Sequence, residues 1–373
     1  MVEMTTIDDV QVLTISDPAV RPDLDAVQDV VLVGVRDVHG TVGYGESQSS
    51  PALVAAVVAA PANRAMRKSL KSLVIGRSCA EVDEIMADLR GVTRVVGREG
   101  VVSHALSALE AAVWDLRGRA QEEPLWRLLS RPGAETSGPR AYGTTWFPDS
   151  RQMLGESLAA MRVHSLSGVK VAYRRDAVPS AEEEASVLRW LRGELGPSAG
   201  LFVDWQSQGS VDDLLRRLDV YDEVALGWIE EPFDRDSLAE YEKLAASSPL
   251  PLAAGESETR LVGFRALLDA GVTVLQPDLG RCGLRVATQA ADISKAAGVS
   301  VVPHQWGSDL NRAVNVHWAI AQGLELTERR LDPAPLVDSL IRWDVPVSGK
   351  RYDIPTAGGL GVEIDANAFE RLN

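Results

Sequence analysis

The sequence predicts an α/β fold, a parallel barrel ringed by helices and preceded by a smaller α+β domain. Three observations predict it. At 373 residues the chain exceeds what one hydrophobic core usually serves. Near Pro139 its grammar changes from a hairpin with following helices to short β-rich runs that alternate with helical segments. Seven successive runs also carry a polar residue at or near their ends, spaced by about one strand-helix unit.

The elements follow in order. "VQDVVLVGVRDVHGTVGYGES" alternates around His39-Gly40 and predicts an antiparallel hairpin. Apolar residues then recur at three- and four-residue spacing from "SPALVAAVVAAPANRAMRKSL" to "SHALSALEAAVWDLRGRAQEEPLWRLLS", which predicts helices. Beyond Pro139 come "RAYGTTW", "GVKVAY", "GLFVDWQ", "ALGWIEE", "PLAAGES", "TVLQPDL", "SVVPHQW" and "LELTE". Segments such as "SAEEEASVLRWLRGEL" and "RVATQAADISKAAG" separate these runs as helices. The expected division is an α+β domain over residues 1–125, completed by 350–373, and a barrel over 126–349.

Composition narrows the function. The chain is 45% hydrophobic and 24% charged, in the range of ordinary soluble globular proteins. A net charge of -15 argues against nucleic acid and anionic membrane, both of which require basic surface. Cys79 and Cys282 are too few and too distant for a disulfide framework or a thiolate metal site. The acidic start "MVEMTTIDDV" lacks the pattern of an export signal, and no apolar run reaches membrane-spanning length, so a cytoplasmic location is expected.

The chemistry lies in the strand-end residues Lys170, Asp204, Glu230, Glu256, Asp278, His304 and Glu325. In a parallel barrel this spacing places them around one mouth, where catalytic residues of such barrels collect. Any one of Asp204, Glu230 and Glu256 alone would read as a solvated strand-end charge. Three converging carboxylates on consecutive strands invite a hard divalent cation, Mg²⁺ being the natural choice, because without one they repel. His304 closes an apolar barrel strand, whereas His39, His104, His164 and His317 sit in turn or helix contexts and read as surface or packing residues.

With "VDWQ", "WIEEP", "GES", "QPDLGRCG", "VVPHQW" and the segment "ALEAAVWDLRGRAQEEPLWRLL" in this order, the chain resembles the mandelate racemase and muconate lactonizing enzyme group of the enolase superfamily over nearly its whole length. The resemblance implies a capping α+β domain, a modified TIM barrel of (β/α)7β type, one Mg²⁺ and removal of the α-proton of a carboxylate substrate. It implies Asp204, Glu230 and Glu256 as metal ligands and Lys170, Asp278, His304 and Glu325 as catalytic groups. His304 would be the base and Asp278 the acceptor of its other N–H. Lys170 would stabilise the enediolate, and Glu325, on the last strand, would polarise a carboxylate oxygen. Glu231, of opposite parity, is expected to point away from the metal and buttress the strand end. Arg21, Gln206, Arg281 and Trp306 are candidate substrate contacts, with Ser47 and Gln48 weaker ones. The expected partner is a small-molecule carboxylate, and the chain is expected to form a homo-oligomer.

One departure bears on the reaction. Many members of the group carry Lys-x-Lys on the second strand, but here "GVKVAY" keeps Lys170 and places Ala172 at the second position. Two-residue spacing puts both on one face, so the side opposite His304 lacks its usual base unless Tyr173 or Arg175 replaces it. Racemisation by two bases needs a group on each face, whereas β-elimination of water can use one histidine as base and then acid. An acid-sugar dehydratase is therefore expected. The alternatives are a racemase or epimerase of an α-substituted carboxylate and, third, a non-catalytic protein that binds metal and acid.

Overall fold

A computed structural model describes residues 5–16, 29–47, 49–130, 137–147, 151–365 and 367. The N-terminal part is a three-stranded antiparallel sheet, β1 (Ile7–Ser16), β2 (Asp29–Asp37) and β3 (Val42–Ser47), in sequential order. The β2–β3 turn forms at the expected His39-Gly40. Asp37 Oδ1 accepts the N–H groups of His39 and Thr41, and Gly40 takes the positive φ the turn needs.

Helices α1 (Pro51–Ala59), α2 (Leu70–Val74), α3 (Val82–Thr93) and α4 (Val101–Gln121) cover this sheet. The long α4 lies directly on β3, because the sequence makes both surfaces small. Ala108 and Ala112 are fully buried on the helix, against Gly43 and Gly45 of the strand. A Cβ on Gly45 would lie 2.0 Å from the Ala108 carbonyl oxygen, and one on Gly43 would lie 2.3 Å from that of Ala112. Buried Asp115 locks the joint. Its Oδ2 accepts from Tyr44 N at 2.9 Å and Arg119 Nε at 2.8 Å, and its Oδ1 accepts from Leu360 N at 2.7 Å, which ties down the C-terminal segment.

Residues 140–330 form a parallel barrel, to which short antiparallel pairs of the C-terminal segment are added. Its strands are β4 (Arg140–Trp146), β5 (Gly168–Ala172), β6 (Gly200–Asp204), β7 (Ile229–Glu230), β8 (Leu252–Ala254), β9 (Val274–Leu275), β10 (Ser300–Val301) and β11 (Leu326–Arg330). Each neighbour from β4 to β10 pairs in parallel, and β11 returns to pair with β4. At the β10–β11 seam Gln305 spans the gap. Its N–H donates to Glu328 Oε2 at 2.9 Å, and its Oε1 accepts from Arg330 N at 3.3 Å. Among the described residues no helix is long and apolar enough to cross a membrane.

Period-2 alternation divides each strand between wall and interior. Val169, Val171 and Tyr173 face the surrounding helices, with Leu201, Val203 and Ile229 in the same cluster. Tyr142, Phe202, Trp228, Ala253, Val274 and Val302 fill the interior as an apolar floor, in which the Phe202 and Trp228 rings stack at 3.6 Å between centroids. Two residues further along five of these strands stand Thr144, Asp204, Glu230, Gln276 and His304, all buried. The floor therefore forces the polar layer to the C-terminal mouth.

The four helix and turn histidines take packing or surface places. His317 is fully buried, with Nδ1 accepting from Trp126 N at 3.0 Å, and His39 is exposed in its turn. Burial pushes the His317 imidazole down to about 3.

The α4–β3 contact generates a stability prediction. Gly45→Ala should destabilise the chain by about 1–3 kcal/mol, the usual cost of overpacking, read as a lower urea midpoint at unchanged slope. An unchanged midpoint would show that the helix can move off the strand freely.

Candidate active site

The mouth is organised around a buried ammonium. Lys170, on β5, is 1% exposed and forms an ion pair with Glu230 Oε1. Its Nζ also lies 2.9 Å from Glu328 Oε1 and 3.5 Å from Asp204 Oδ2. Burial alone would lower its pKa, but the Glu230 and Glu328 charges overcome that and hold it well above the ordinary lysine value.

Asp204, Glu230 and Glu256 each offer a carboxylate oxygen within 4.8 Å of the others. Strand register brings them together, since Asp204 pairs with Glu230 across β6–β7, and Glu256 follows Gly255 just beyond β8. Gly255 adopts φ +125, where a side chain would be strained and would press on Phe264, so the turn that presents Glu256 requires glycine. Each carboxylate is held differently. Gln206 clamps Asp204 with its backbone N–H on Oδ1 and its Nε2 on Oδ2, both at 2.9 Å. Glu230 Oε2 accepts from Trp228 Nε1 at 2.9 Å and Gln276 Nε2 at 2.7 Å. Glu256 Oε1 accepts from Arg281 Nη1 at 2.8 Å.

His304 and Asp278 lie on adjacent strand ends, joined by a parallel bridge. Asp278 Oδ1 caps the helix Leu279–Ala297 by accepting from Gly280 N at 2.7 Å, and Oδ2 receives His304 Nδ1 at 2.9 Å. That bond makes Nδ1 the protonated nitrogen and leaves Nε2 facing the mouth, 3.1 Å from Glu256 Oε2. Burial would lower the imidazole's pKa, but the charges of Glu256 and Glu328 and the Asp278 bond raise it to about 9. Glu256 shifts the other way. Burial favours its neutral form, and the His304, Arg281 and Lys170 charges outweigh that to hold it at about 2. Burial, partly offset by Lys170, pushes Glu230 up to about 7.

This donor set fits a hard divalent cation. All three groups supply oxygen, and Glu256 Oε2 is buried without an aligned hydrogen-bond donor, as is Gln276 Oε1 beside Glu230. Burial and like charge raise Asp204 and Glu230 above the ordinary carboxylate range, the strain a bound cation relieves.

Several sequence expectations change here. Glu325 lies just before β11, is exposed, and pairs with Arg351 on the surface. The last-strand carboxylate at the mouth is Glu328. It is fully buried and bonded to Thr144 Oγ1, Gln305 N and Lys170. The parity of "LELTE" contains the signal: Leu326 is packed against the floor, so Glu328, two residues on, points inward at the C-terminal end. Tyr173 does not replace the second-strand base, because the residue after inward Ala172 must face the wall. Its hydroxyl donates to Glu184, and its ring lies edge-on to Phe147 and Trp205. Arg175 is exposed.

Glu231 is buried and accepts from Ser207 Oγ at 3.2 Å, while its N–H bonds Ala253 O, so it braces the strand end. It does not stand clear of the acids. Burial, then the Glu256 and Asp204 charges, push its carboxyl well above the usual range.

Of the candidate substrate contacts, Gln206 holds Asp204, and Arg281 lies between Glu256 and Asp278 Oδ2, 3.4 Å from the latter. Trp306 meets Trp146 edge-on at 5.5 Å. Ser47 is buried at the end of β3, and Arg21 and Gln48 lie outside the described residues. Gln276, Trp228 and Gln305, within "QPDLGRCG", "WIEEP" and "VVPHQW", and Thr144 on β4 hold the acids in place, a role that no single motif signals.

Comparison with known proteins agrees with this architecture. The family described as "Mandelate racemase / muconate lactonizing enzyme, N-terminal domain" matches residues 13–130, and the one described as "Enolase C-terminal domain-like" matches 153–368. The chain is 27% identical over 356 residues to a D-galactarolactone cycloisomerase of Agrobacterium fabrum (strain C58 / ATCC 33970), covering 91% of this chain and 90% of that one. It is also 27% identical over 354 residues to an L-rhamnonate dehydratase of Saccharopolyspora erythraea, covering 91% and 84%. A crystal structure of a racemase from Streptomyces coelicolor A3(2) with bound magnesium superposes with a TM-score of 0.83 at 23% identity, covering 98% of this chain and 99% of that one. The chain therefore belongs to the mandelate racemase and muconate lactonizing enzyme group of the enolase superfamily.

Proposed function

We propose that this protein removes the α-proton of a sugar-acid carboxylate with His304 as its single base and completes a β-elimination of water. The observation that carries the reading is the asymmetry of the mouth. The Asp278-oriented imidazole stands on one side, and on the other Lys170 is followed by Ala172, with Tyr173 turned into the wall. The similarity to an L-rhamnonate dehydratase supports dehydration. A second reading, cycloisomerisation of an acid lactone, is favoured by the similarity to a D-galactarolactone cycloisomerase.

The resident cation in this reading is Mg²⁺, held by Asp204, Glu230 and Glu256; when bound it supplies Lewis-acid stabilisation to a substrate carboxylate. The chain's own residues do the rest. His304 Nε2 takes the α-proton, and the two electrons of the C–H bond pass into the carboxylate to give an enediolate. Lys170 places a buried positive charge beside the developing anion, in surroundings where such a charge acts strongly. Glu328 fixes Lys170 from the far side, so the ammonium cannot swing out to solvent. The enediolate then expels the β-hydroxyl, which takes the proton back from the His304 imidazolium and leaves as water. The resulting enol tautomerises to a 2-keto-3-deoxy acid. Asp278 keeps Nδ1 protonated throughout, so that Nε2 alone exchanges the proton.

The test is α-proton exchange in D2O, followed by NMR across a panel of sugar acids, together with a keto-acid assay. His304→Asn should lose both exchange and dehydration by roughly 10² to 10⁴, the usual contribution of a general base. Exchange that survives in this variant would reveal a second base and move the assignment to a racemase or epimerase.

The two glutamates of the last strand give a paired prediction. Glu325→Gln should leave turnover unchanged and alter stability by less than about 1 kcal/mol, as for an exposed ion pair. Glu328→Gln should lower kcat at least tenfold, because Lys170 loses one of its anchoring charges. The reverse pattern in kcat would return the catalytic role to Glu325.

A further inference from the structure

Between the two parts of the molecule lies a cavity of about 220 Å³ whose lining does not include the acids of the barrel mouth. Its walls come from α3, α4 and the loop joining them, from the start of the helix Leu261–Asp269, and from the helix Leu279–Ala297. We propose that this cavity binds a small carboxylate with an apolar body, such as a short aliphatic or aromatic acid.

Charge is the first ground. Arg90, Arg98 and Arg260 line the cavity, and no Asp or Glu is among its lining residues, in a chain whose net charge is -15. Two of these arginines already meet counter-charges: Glu110 reaches Arg90 at 3.5 Å, and Glu99 reaches Arg260 at 2.9 Å. Guanidinium groups are suited to a carboxylate because their fork of N–H donors matches its two oxygens.

The second ground is an unspent polar atom. Thr259 lines the cavity at 4% exposure, and its Oγ1 is buried without a hydrogen-bond partner. Buried hydroxyls are ordinarily satisfied, so this one is free to bond an oxygen of an occupant. The third is the character of the remaining wall. Val102, Leu106, Leu261 and Val286 supply apolar wall beside the arginines, the combination of polar anchor and apolar body that small-ligand sites use.

The walls are also fixed in advance. Ser103 Oγ donates to Arg281 O at 3.0 Å and Ser107 Oγ to Gly280 O at 2.6 Å, which pins α4 to the first turn of the opposing helix. A cavity held open by such bonds needs little reorganisation to accept a ligand.

Calorimetric titration of the full-length, magnesium-loaded protein with benzoate and with hexanoate tests the assignment. Saturable binding of at least one acid is expected, with none for hexylamine, which keeps the tail and reverses the charge. The double variant Arg98→Ala with Arg260→Ala should weaken binding at least roughly tenfold through lost charge-assisted hydrogen bonds. Val286→Trp, which fills the space beside the apolar wall, should abolish it, while circular dichroism and α-proton exchange stay as in the parent. No saturable binding of either acid, equal binding of hexylamine, or wild-type affinity in either variant would overturn the proposal.

Discussion

The barrel mouth buries more negative charge than its cations can match, and the rest of the site is arranged around that imbalance. Asp204, Glu230, Glu231, Glu256, Asp278 and Glu328 are all buried there, against the fixed charges of Lys170 and Arg281 and the imidazole of His304. Unmatched buried carboxylates are costly, and the protein answers in three ways. Burial pushes the Glu231 carboxyl well above the usual range and Glu230 up to about 7, favouring their neutral forms. Lys170 is shared among three acids, and His304 lies between Asp278 and Glu256, whose charges raise its pKa and so favour its charged form. A divalent cation among Asp204, Glu230 and Glu256 would remove the largest part of the excess. It would also withdraw the Glu256 charge from His304, lowering the imidazole from about 9 toward the range in which Nε2 can accept a proton.

The fold produces this imbalance by a simple geometric rule. Every inward position near the barrel's base is apolar, with the Phe202–Trp228 stack at its centre, so the next inward positions must face the mouth. Parallel register then sets neighbours side by side, Ala172 beside Asp204 and Asp204 beside Glu230. The N-terminal part closes over this end, with Glu46 of β3 accepting Ser308 N at 3.0 Å and Asn311 N at 3.2 Å at the start of the helix Asp309–Gln322. Burial pushes that carboxyl up to about 7, which these bonds only partly offset.

Much of this was legible in the sequence, because strand-end spacing and period-2 parity are both written in the chain. The barrel, the preceding antiparallel sheet and the convergence of Lys170, Asp204, Glu230, Glu256, Asp278 and His304 follow from them. On the last strand the spacing rule fails without parity: Glu325 stands at the right interval, but Glu328 stands on the right face. Glu231 was harder, since alternation says only that it departs from the Glu230 direction. A backbone with φ 33 and a bond from Ser207 decide where it goes. The supporting donors Gln276, Thr144 and Gln305 become visible only when partners distant in sequence are brought together by register, whereas Trp228 reaches Glu230 from two residues back along the chain.

The central claim is that the acid excess at the mouth exists to hold one divalent cation. Titrating magnesium into the metal-free protein by calorimetry at neutral pH tests it most directly, in the wild type and in Glu256→Gln with its fold checked by circular dichroism. The account predicts one saturable site in the wild type and its loss in the folded variant. Absence of binding in the wild type, or equal binding in the variant, would contradict it.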